Sequence, residues 1–215
     1  MIDINKTNEP DALKRFKRHN RGLGLESFDD LESGVKRKIK KTLLKEQGHV
    51  CCYCMSRIAY ESMRVEHFKS QSNHPTLRLD YGNMLAACNG NSSKSHECQH
   101  CDTFKGQAEI TCNPSKEHIE STISYLSDGT IKSSNAKWNE ELNNTLNLNS
   151  NMHFLKRNRK SIKDAIDTAL CSKKLTKQKI IEFLSKNTTK DKDGKLIEYC
   201  GVAVYFLKKR LRSFR

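Results

Sequence analysis

The chain has 215 residues, of which 35% are hydrophobic and 30% charged, with nine cysteines and a formal net charge of +14. This length fits one domain or a small core with added helical segments, and the lean apolar content predicts a core that a structural metal would help to fold. No apolar stretch approaches the roughly 18 residues that a membrane span needs, and the N-terminal residues show no apolar signal segment. We therefore expect a cytoplasmic protein with no membrane contact, whose cysteines serve as thiolate ligands or buried side chains rather than disulfides.

Positive charge is concentrated in the last third of the chain. Residues 1–50 carry 12 basic and 8 acidic side chains, residues 51–150 carry 9 and 11, and residues 151–215 carry 18 and 6. The centre of the sequence is slightly acidic and cysteine-rich, and the flank beside it is strongly basic. This distribution is expected of a protein that binds a cation in its centre and a polyanion on the surrounding surface. The alternative is that the lysine-rich helices are only solvated faces. We favour contact with nucleic acid.

The chain alternates between helical segments and short strands. Hydrophobic periodicity predicts helices at 11–18, 34–47, 137–147, 151–171, 175–186 and 199–213. Ser33 is a predicted N-cap and Gly48 a predicted helix end. Residues 49–59 are expected to form a hairpin, and 63–68 a short strand with Val65 turned inward and Glu66 and His67 presented. A second hairpin is predicted around Asp128-Gly129.

Two Cys-x2-Cys pairs predict a zinc site. They are Cys51 with Cys54 and, 44 residues after Cys54, Cys98 with Cys101. This spacing lets two thiolates from one tight turn bind the same tetrahedral ion. Cys88 competes with Cys98 for the fourth position, because residues 89–97 have the composition of an insertion within a knuckle. Either set contains Cys101.

The remaining cysteine and histidine candidates are weaker. Cys52 would reach the ion only with strained geometry, and His100 is a minor alternative ligand. His74, in a polar loop before Pro75, is a rival general base. Three cysteines lie far from the pairs and are expected to be buried or free thiols: Cys112, Cys171 and Cys200.

Between the cysteine pairs lies a set of residues suited to phosphodiester chemistry. His67 can activate water, and Glu66 beside it can hold a divalent cation. Asp102 follows the last ligand cysteine at a helix start, where it can bind the same cation or act as an N-cap. Asn83 is expected to position the loop behind His67. Lys105, one turn after Asp102, either contacts phosphate or is solvated.

The order Cys-x2-Cys, acid-His, Asn, Cys and Cys-Asp-x-x-Lys resembles the ββα-metal HNH endonucleases. The resemblance implies an α+β fold: a small zinc-stabilised ββα-metal HNH core embedded in mostly helical N- and C-terminal flanks. It implies His67 as the base, Glu66 and Asp102 as ligands of catalytic Mg²⁺ or Mn²⁺, and the cysteines as ligands of a structural Zn²⁺. The expected segments are a helical N-terminal part at 1–47, the nuclease core with a hairpin at 48–135, and a basic helical part at 136–215. Asp102 departs from the family, which usually has Asn or His there.

A narrower resemblance covers roughly residues 35–160. Gly48-His-Val-Cys-Cys-Tyr-Cys, Val65-Glu-His-Phe-Lys-Ser, Asp80-Tyr-Gly-Asn-Met-Leu-Ala-Ala-Cys-Asn-Gly and His100-Cys-Asp-Thr-Phe-Lys-Gly resemble the PtuB group, the HNH component of Septu-type and retron-linked anti-phage systems. The resemblance implies an effector nuclease that acts on DNA or RNA with a PtuA-type ABC-class ATPase. A retron reverse transcriptase and its RNA–DNA product are further partners that it implies.

Two other functions remain open at this stage. A non-catalytic, zinc-stabilised adaptor for nucleic acid or an ATPase would use the cysteines and the basic flank but not His67. A zinc hydrolase of small molecules would need an open zinc position, which four thiolates close. The basic flank is expected to hold the polyanion or dock a partner through two helices. Their basic residues are Lys156, Arg157, Arg159, Lys160 and Lys163 in one, and Lys208, Lys209, Arg210, Arg212 and Arg215 in the other.

Overall fold

The computed structural model describes residues 1–22, 24, 27–116, 118–171 and 176–213. These residues form α-helices and two small antiparallel sheets. The helices are α1 (Asp11–His19), α2 (Ser33–Gln47), α3 (Cys101–Lys105), α4 (Ala136–Glu140), α5 (Leu155–Leu170), α6 (Lys177–Thr188) and α7 (Cys200–Arg212). The strands are β1 (Arg64–His67), β2 (Met84–Ala87), β3 (Ile123–Tyr125) and β4 (Ile131–Ser133). Of the helices described, none has both the length and the apolar composition needed to cross a membrane.

The mixed helix-and-strand architecture predicted from the sequence is confirmed. The predicted helix at 137–147 is divided, because α4 ends at Glu140 and a π-helical turn occupies Glu141–Thr145. Residue 175, where another helix was expected to begin, lies outside the described residues, as does Arg215 of the last basic helix. The helix after it is described from Lys177.

Helix α2 packs its apolar stripe against β2 and α1. Ile39 and Leu43 on this stripe are completely buried, and burial of each such side chain contributes about 1.5–3 kcal/mol. The N-cap position is occupied by Glu32, so the prediction of Ser33 was wrong by one residue. Gly48 ends the helix with φ 60°, and a Cβ there would lie 2.5 Å from Cγ of Leu196. Glycine is therefore required at this helix end.

Strands β1 and β2 form an antiparallel pair in which Glu66 faces Leu85 and His67 faces Met84. The side-chain amide of Gln47 at the end of α2 bonds both backbone groups of Ala86, at 2.8 and 2.7 Å. These bonds fix the end of α2, and the turn after it, on the sheet edge.

Val65 of β1 is partly buried and packs against the core, as the predicted inward orientation requires. The prediction that Glu66 and His67 are presented was wrong, because they are 2% and 7% exposed. Both faces of the strand end are covered, because each of the two polar side chains packs against other parts of the chain.

The second hairpin, β3 and β4, turns at Asp128-Gly129 as predicted and is fastened to α5 by Arg159. The Arg159 guanidinium is 1% exposed and donates to the Gly129 carbonyl at 2.6 Å and the Leu148 carbonyl at 2.8 Å. This arginine is therefore a core side chain and not part of a basic surface.

The C-terminal helices α5, α6 and α7 pack on one another around Ile180, Ala203 and Leu207. A larger cluster of buried side chains runs from Met1 through the central strands to Val202 in α7. The flanks and the cysteine-rich centre thus share a core, and the centre is held from both sides.

Candidate metal centre and active site

Four cysteine thiols from three segments meet beside β2. Cys51 and Cys54 belong to the turn after α2, Cys88 follows β2, and Cys101 opens α3. All four are buried, and their sulfur atoms lie within 4.8 Å of one another. The sulfur atoms of Cys54 and Cys88 are 3.8 Å apart, and those of Cys51 and Cys101 are 4.0 Å apart. We refer to these residues as the thiol cluster.

The thiol cluster fits one tetrahedral zinc ion. Zn–S bonds of about 2.3 Å place the sulfurs of such a site about 3.8 Å apart. Burial raises the pKa of the Cys101 thiol, and the adjacent thiols raise it further. Four thiolates are therefore stable together here only around a cation. Four protein ligands close the coordination sphere, which is typical of a structural zinc.

The geometry favours Cys88 over Cys98 as the fourth ligand. Cys98 ends a 3₁₀ turn, is partly exposed, and accepts a hydrogen bond from the Ser95 hydroxyl at 3.6 Å. Residues 91–99 loop out, and the bond from His100 N to Gly90 O at 3.1 Å joins the two ends of the loop. The loop returns the chain to the cluster only at Cys101.

His100 lies beside the thiol cluster. Its Nδ1 is 3.2 Å from the sulfur of Cys101 and 3.9 Å from that of Cys88. Its ring packs edge-on against His153 with centroids 4.9 Å apart. Donation of an Nδ1 hydrogen to Cys101 stabilises that sulfur as a thiolate, so His100 supports the ligands from outside the cluster.

The Glu66 carboxylate meets three polar side chains in the interior. Its Oε1 accepts a hydrogen bond from the Tyr53 hydroxyl at 2.7 Å and pairs with Lys105 Nζ at 3.0 Å. It also interacts directly with the carboxyl group of Asp102, the residue after Cys101. The Lys105 side chain is 1% exposed. The alternative of a solvated lysine, which the sequence left open, is therefore wrong.

The paired carboxyl groups of Glu66 and Asp102 are a candidate site for a hard divalent cation. Burial and the Asp102 carboxylate raise the pKa of Glu66, whereas Lys105 and Tyr53 lower it. A cation between two adjacent carboxylates relieves their repulsion. Within the described part of the chain, no third histidine, cysteine or carboxylate joins this pair as a ligand group. Mg²⁺ and similar ions commonly use one or two protein carboxylates together with water and phosphate oxygens.

The His67 imidazole is oriented as a proton acceptor. Its Nε2 donates to the Arg78 carbonyl at 3.0 Å, which leaves the lone pair on Nδ1. Burial lowers the pKa of His67, and the nearby Asp102 carboxylate opposes this shift. The ring is therefore neutral at pH 7. The Phe28 ring packs edge-on against it with centroids 5.4 Å apart.

Asn83 links the segments on either side of His67. Its Oδ1 accepts from Lys69 N at 2.8 Å, and its Nδ2 donates to Lys69 O at 2.9 Å and to Leu77 O at 3.2 Å. Leu77 precedes Arg78, whose carbonyl holds His67. These bonds are consistent with the positioning role that the sequence suggested for Asn83.

Two residues of the site, Tyr53 and Arg64, were not predicted from the sequence. Tyr53 lies between Cys51 and Cys54, and zinc binding by these two cysteines would fix its position. Its place inside the pair was the signal that could have identified it as a site residue. Arg64 Nε is 3.3 Å from Asp102 on the solvent side of the site. The rival base His74 is partly exposed and pairs with Glu109 at 3.1 Å.

Comparisons with known proteins bear on this geometry. No protein-family model matches the chain. The chain is 27% identical over 136 residues to a protein of Vibrio cholerae serotype O1 biovar El Tor named "Retron Vc95 putative HNH endonuclease". The alignment covers 61% of this chain and 65% of that relative, so the chain spans less than two thirds of the relative's length. The similarity supports an HNH endonuclease as the kind of protein to which this site belongs.

Proposed function

We propose that the chain is a metal-dependent HNH endonuclease that hydrolyses phosphodiester bonds in nucleic acid. In this proposal β1, β2 and α3 form the ββα-metal core. One observation carries it: the Glu66–Asp102 carboxyl pair lies beside the neutral His67, and Asp102 directly follows Cys101 of the thiol cluster in α3. The similarity to a retron protein named for HNH endonuclease activity supports the same function.

His67 acts as the general base. Nδ1 takes a proton from a water molecule, whose oxygen attacks the phosphorus while the bond to the leaving oxygen breaks. The Arg78 carbonyl, bonded to Nε2 at 3.0 Å, stabilises the imidazolium that forms. Asn83 keeps this carbonyl in place through its bonds to the adjoining loop.

Glu66 and Asp102 would hold Mg²⁺ or Mn²⁺. Such an ion supplies positive charge at the phosphate oxygens and at the leaving oxygen. Lys105 and Tyr53 fix the Glu66 carboxylate through bonds of 3.0 and 2.7 Å. Burial and the Asp102 carboxylate raise the pKa of Glu66, and Lys105 opposes this shift, so a cation bound between the two carboxylates would complete the stabilisation of the ionised form.

The thiol cluster would hold a structural Zn²⁺. Zinc binding to four thiolates supplies folding free energy, because the site exists only in the folded chain. Cys101 belongs to this site and Asp102 to the other, so a zinc-fixed start of α3 also places one of the carboxylates.

We also propose that the nuclease works in a retron-linked anti-phage system with a PtuA-type ATPase. The name of the Vibrio relative supports the retron context. The ATPase partner, and a reverse transcriptase with its RNA–DNA product, come from the resemblance to the PtuB group.

The test is cleavage of plasmid DNA and of total cellular RNA by the purified protein, with and without Mg²⁺ or Mn²⁺ and the ATPase. His67→Ala is the inactive variant, and His74→Ala is its matched control, because His74 is a surface histidine paired with Glu109. We expect metal-dependent cleavage that His67→Ala abolishes and His74→Ala retains. If no combination cleaves either substrate and His67→Ala keeps its activity in cells, the zinc-stabilised adaptor is the better description.

A further inference from the structure

Helix α2 carries four exposed cations that form no ion pair with any acidic side chain in the described part of the chain. They are Arg37, Lys38, Lys41 and Lys45. Of the ion pairs found among the described residues, none involves any of these four. Helix α2 is therefore a source of uncompensated positive charge on the N-terminal side of the core.

Three of these cations repeat every four residues: Arg37, Lys41 and Lys45, which we call the α2 basic stripe. Residues four apart lie on one helix face, about 6 Å from each other along the axis. Like charges at this spacing repel and destabilise the helix. An anionic polymer lying along the stripe would relieve that repulsion at every position.

The same helix adjoins the proposed catalytic site. Lys36 Nζ is 5.8 Å from the centroid of the Phe28 ring, which packs on His67 at 5.4 Å. Lys40 Nζ lies 5.4 Å from the centroid of the Tyr60 ring, four residues before β1. Lys36 precedes Arg37, the first residue of the α2 basic stripe, so the N-terminal end of the stripe is connected to His67 through Lys36 and Phe28.

Three lysines of helix α5, unlike the α2 basic stripe, have acidic partners. Lys156 pairs with Asp128 at 2.8 Å, Lys160 pairs with Asp164, and Lys163 pairs with Asp167. Each lysine is thus compensated within the protein, although this helix belongs to the most basic part of the sequence.

Helix α7 also has acidic neighbours. Lys208 pairs with Glu120 at 2.6 Å. Lys209 and Arg212 border a cavity of about 640 Å³ that Asp3 and Glu120 also line. Lys208 of α7 is therefore paired with a carboxylate, and two further cations of this helix line the same cavity as two carboxylates.

We propose that the α2 basic stripe binds the sugar-phosphate backbone of the nucleic acid whose scissile bond lies at His67. This inference rests on the proposed nuclease function and assigns its substrate-binding surface to the N-terminal helix instead of the C-terminal basic helices. The contacts are to phosphate, so the stripe binds DNA or RNA without reading sequence.

The test compares two triple substitutions of equal charge, both made in the His67→Ala background so that nothing is cleaved. One is Arg37→Gln, Lys41→Gln and Lys45→Gln in α2; the matched control is Lys156→Gln, Lys160→Gln and Lys163→Gln in α5. Binding of fluorescent 30-mers of duplex DNA, single-stranded DNA and RNA is measured over a range of salt concentrations. Thermal unfolding verifies that each variant is folded.

We expect the α2 triple to bind at least about 10-fold more weakly, and its salt-dependence slope to fall by about 0.7–0.9 for each phosphate that the stripe no longer neutralises. The α5 control should stay within about 3-fold of its parent, since its lysines are already paired. The 30-mer bound most tightly distinguishes DNA from RNA.

Equal weakening of binding in the two triples would overturn the proposal, because it would show a general effect of net charge. Unchanged nucleic-acid binding by the α2 triple, with weakening only of ATPase association, would overturn it in favour of a protein-docking face. Failure of the nuclease proposal gives a different result. In that case the protein carrying His67 cleaves nothing, while its binding still depends on the α2 basic stripe.

Discussion

Cys101 and Asp102 are neighbours in sequence at the start of α3, yet they belong to two clusters of opposite chemistry. Cys101 joins three other buried thiols whose sulfurs lie within 4.8 Å of one another. Asp102 joins Glu66, a buried carboxyl group that also contacts Lys105 and Tyr53. Thiolates favour zinc, whereas carboxylates favour magnesium and manganese. The first two residues of α3 can therefore contribute ligands to two sites that prefer different metal ions.

The two clusters also differ in how completely the protein surrounds them. The thiol cluster offers four ligands and leaves no position for a substrate, which is the property of a structural site. The carboxyl pair offers two groups and leaves positions for water and phosphate oxygens. Both clusters are largely buried, so the number of protein ligands, and not burial, distinguishes the proposed structural site from the proposed catalytic site.

The largest expected effect is loss of the structural zinc in Cys88→Ser. Zinc binding contributes about 10–16 kcal/mol in zinc-finger peptides, as much as the whole stability of a typical domain. We expect the variant to bind less than stoichiometric zinc and to lose its cooperative unfolding transition. Metal analysis and circular dichroism measure the two effects.

Cys98→Ser is the matched control for Cys88→Ser. It makes the same chemical change at the other cysteine that sequence spacing offers, but its sulfur contacts Ser95 and lies outside the cluster. It should keep one zinc per chain and a nearly unchanged unfolding temperature. Zinc loss in Cys98→Ser with retention in Cys88→Ser would reverse the ligand assignment.

The second prediction tests whether Lys105 stabilises the folded protein by balancing the buried charge of Glu66. Lys105→Met removes one partner of a buried pair, which typically costs about 3–5 kcal/mol of unfolding free energy. The double variant Lys105→Met/Glu66→Gln should recover part of this loss, because no uncompensated charge remains. Denaturant unfolding measures both variants, and zinc content should be unchanged in each. No recovery in the double variant would argue that Lys105 contributes by packing alone.

The third prediction separates the neighbouring residues of α3. Asp102→Ala, which removes the ligand oxygens altogether, should lower metal-dependent cleavage by about 10²–10³-fold, the usual cost of losing one group that stabilises transition-state charge. Zinc content and unfolding temperature should stay close to those of the parent, since the thiol cluster is untouched. Glu109→Gln is the control, an acid that pairs with Lys69 and His74 at the surface. Equal activity of the two variants would remove Asp102 from the catalytic site.

The sequence was sufficient for the Cys51–Cys54 pair and for most helices because both depend on local spacing. It could not choose between Cys88 and Cys98, because the spacing of either cysteine to Cys101 is compatible with a zinc knuckle. The three-dimensional path of residues 89–100 determines which of the two sulfurs reaches the cluster. The sequence located β1 correctly but predicted that Glu66 and His67 are presented, whereas both are buried. Strand alternation assumes one covered face, but Tyr53 and Lys105 cover Glu66 while Phe28 covers His67. Partners separated by tens of residues leave no periodic signal.

The smallest expected effect concerns the pH dependence of cleavage. A general base must be neutral, and burial lowers the pKa of His67 from its usual 6.5. The midpoint of protonation therefore lies below pH 6.5, and activity should fall as the pH drops through this lowered pKa. The measurement is kcat/KM against pH, together with NMR titration of the His67 ring.

Phe28→Ala should move this acid limb upward toward pH 6.5, by less than about one unit, because water then reaches the imidazole and relieves its desolvation. Phe154→Ala is the control, an exposed phenylalanine that stacks on Arg157 and does not contact His67. A limb at or above pH 6.5 in the parent protein would mean that burial does not set the protonation of His67. A limb that Phe154→Ala moves as far as Phe28→Ala would show that the Phe28 ring has no specific part in it.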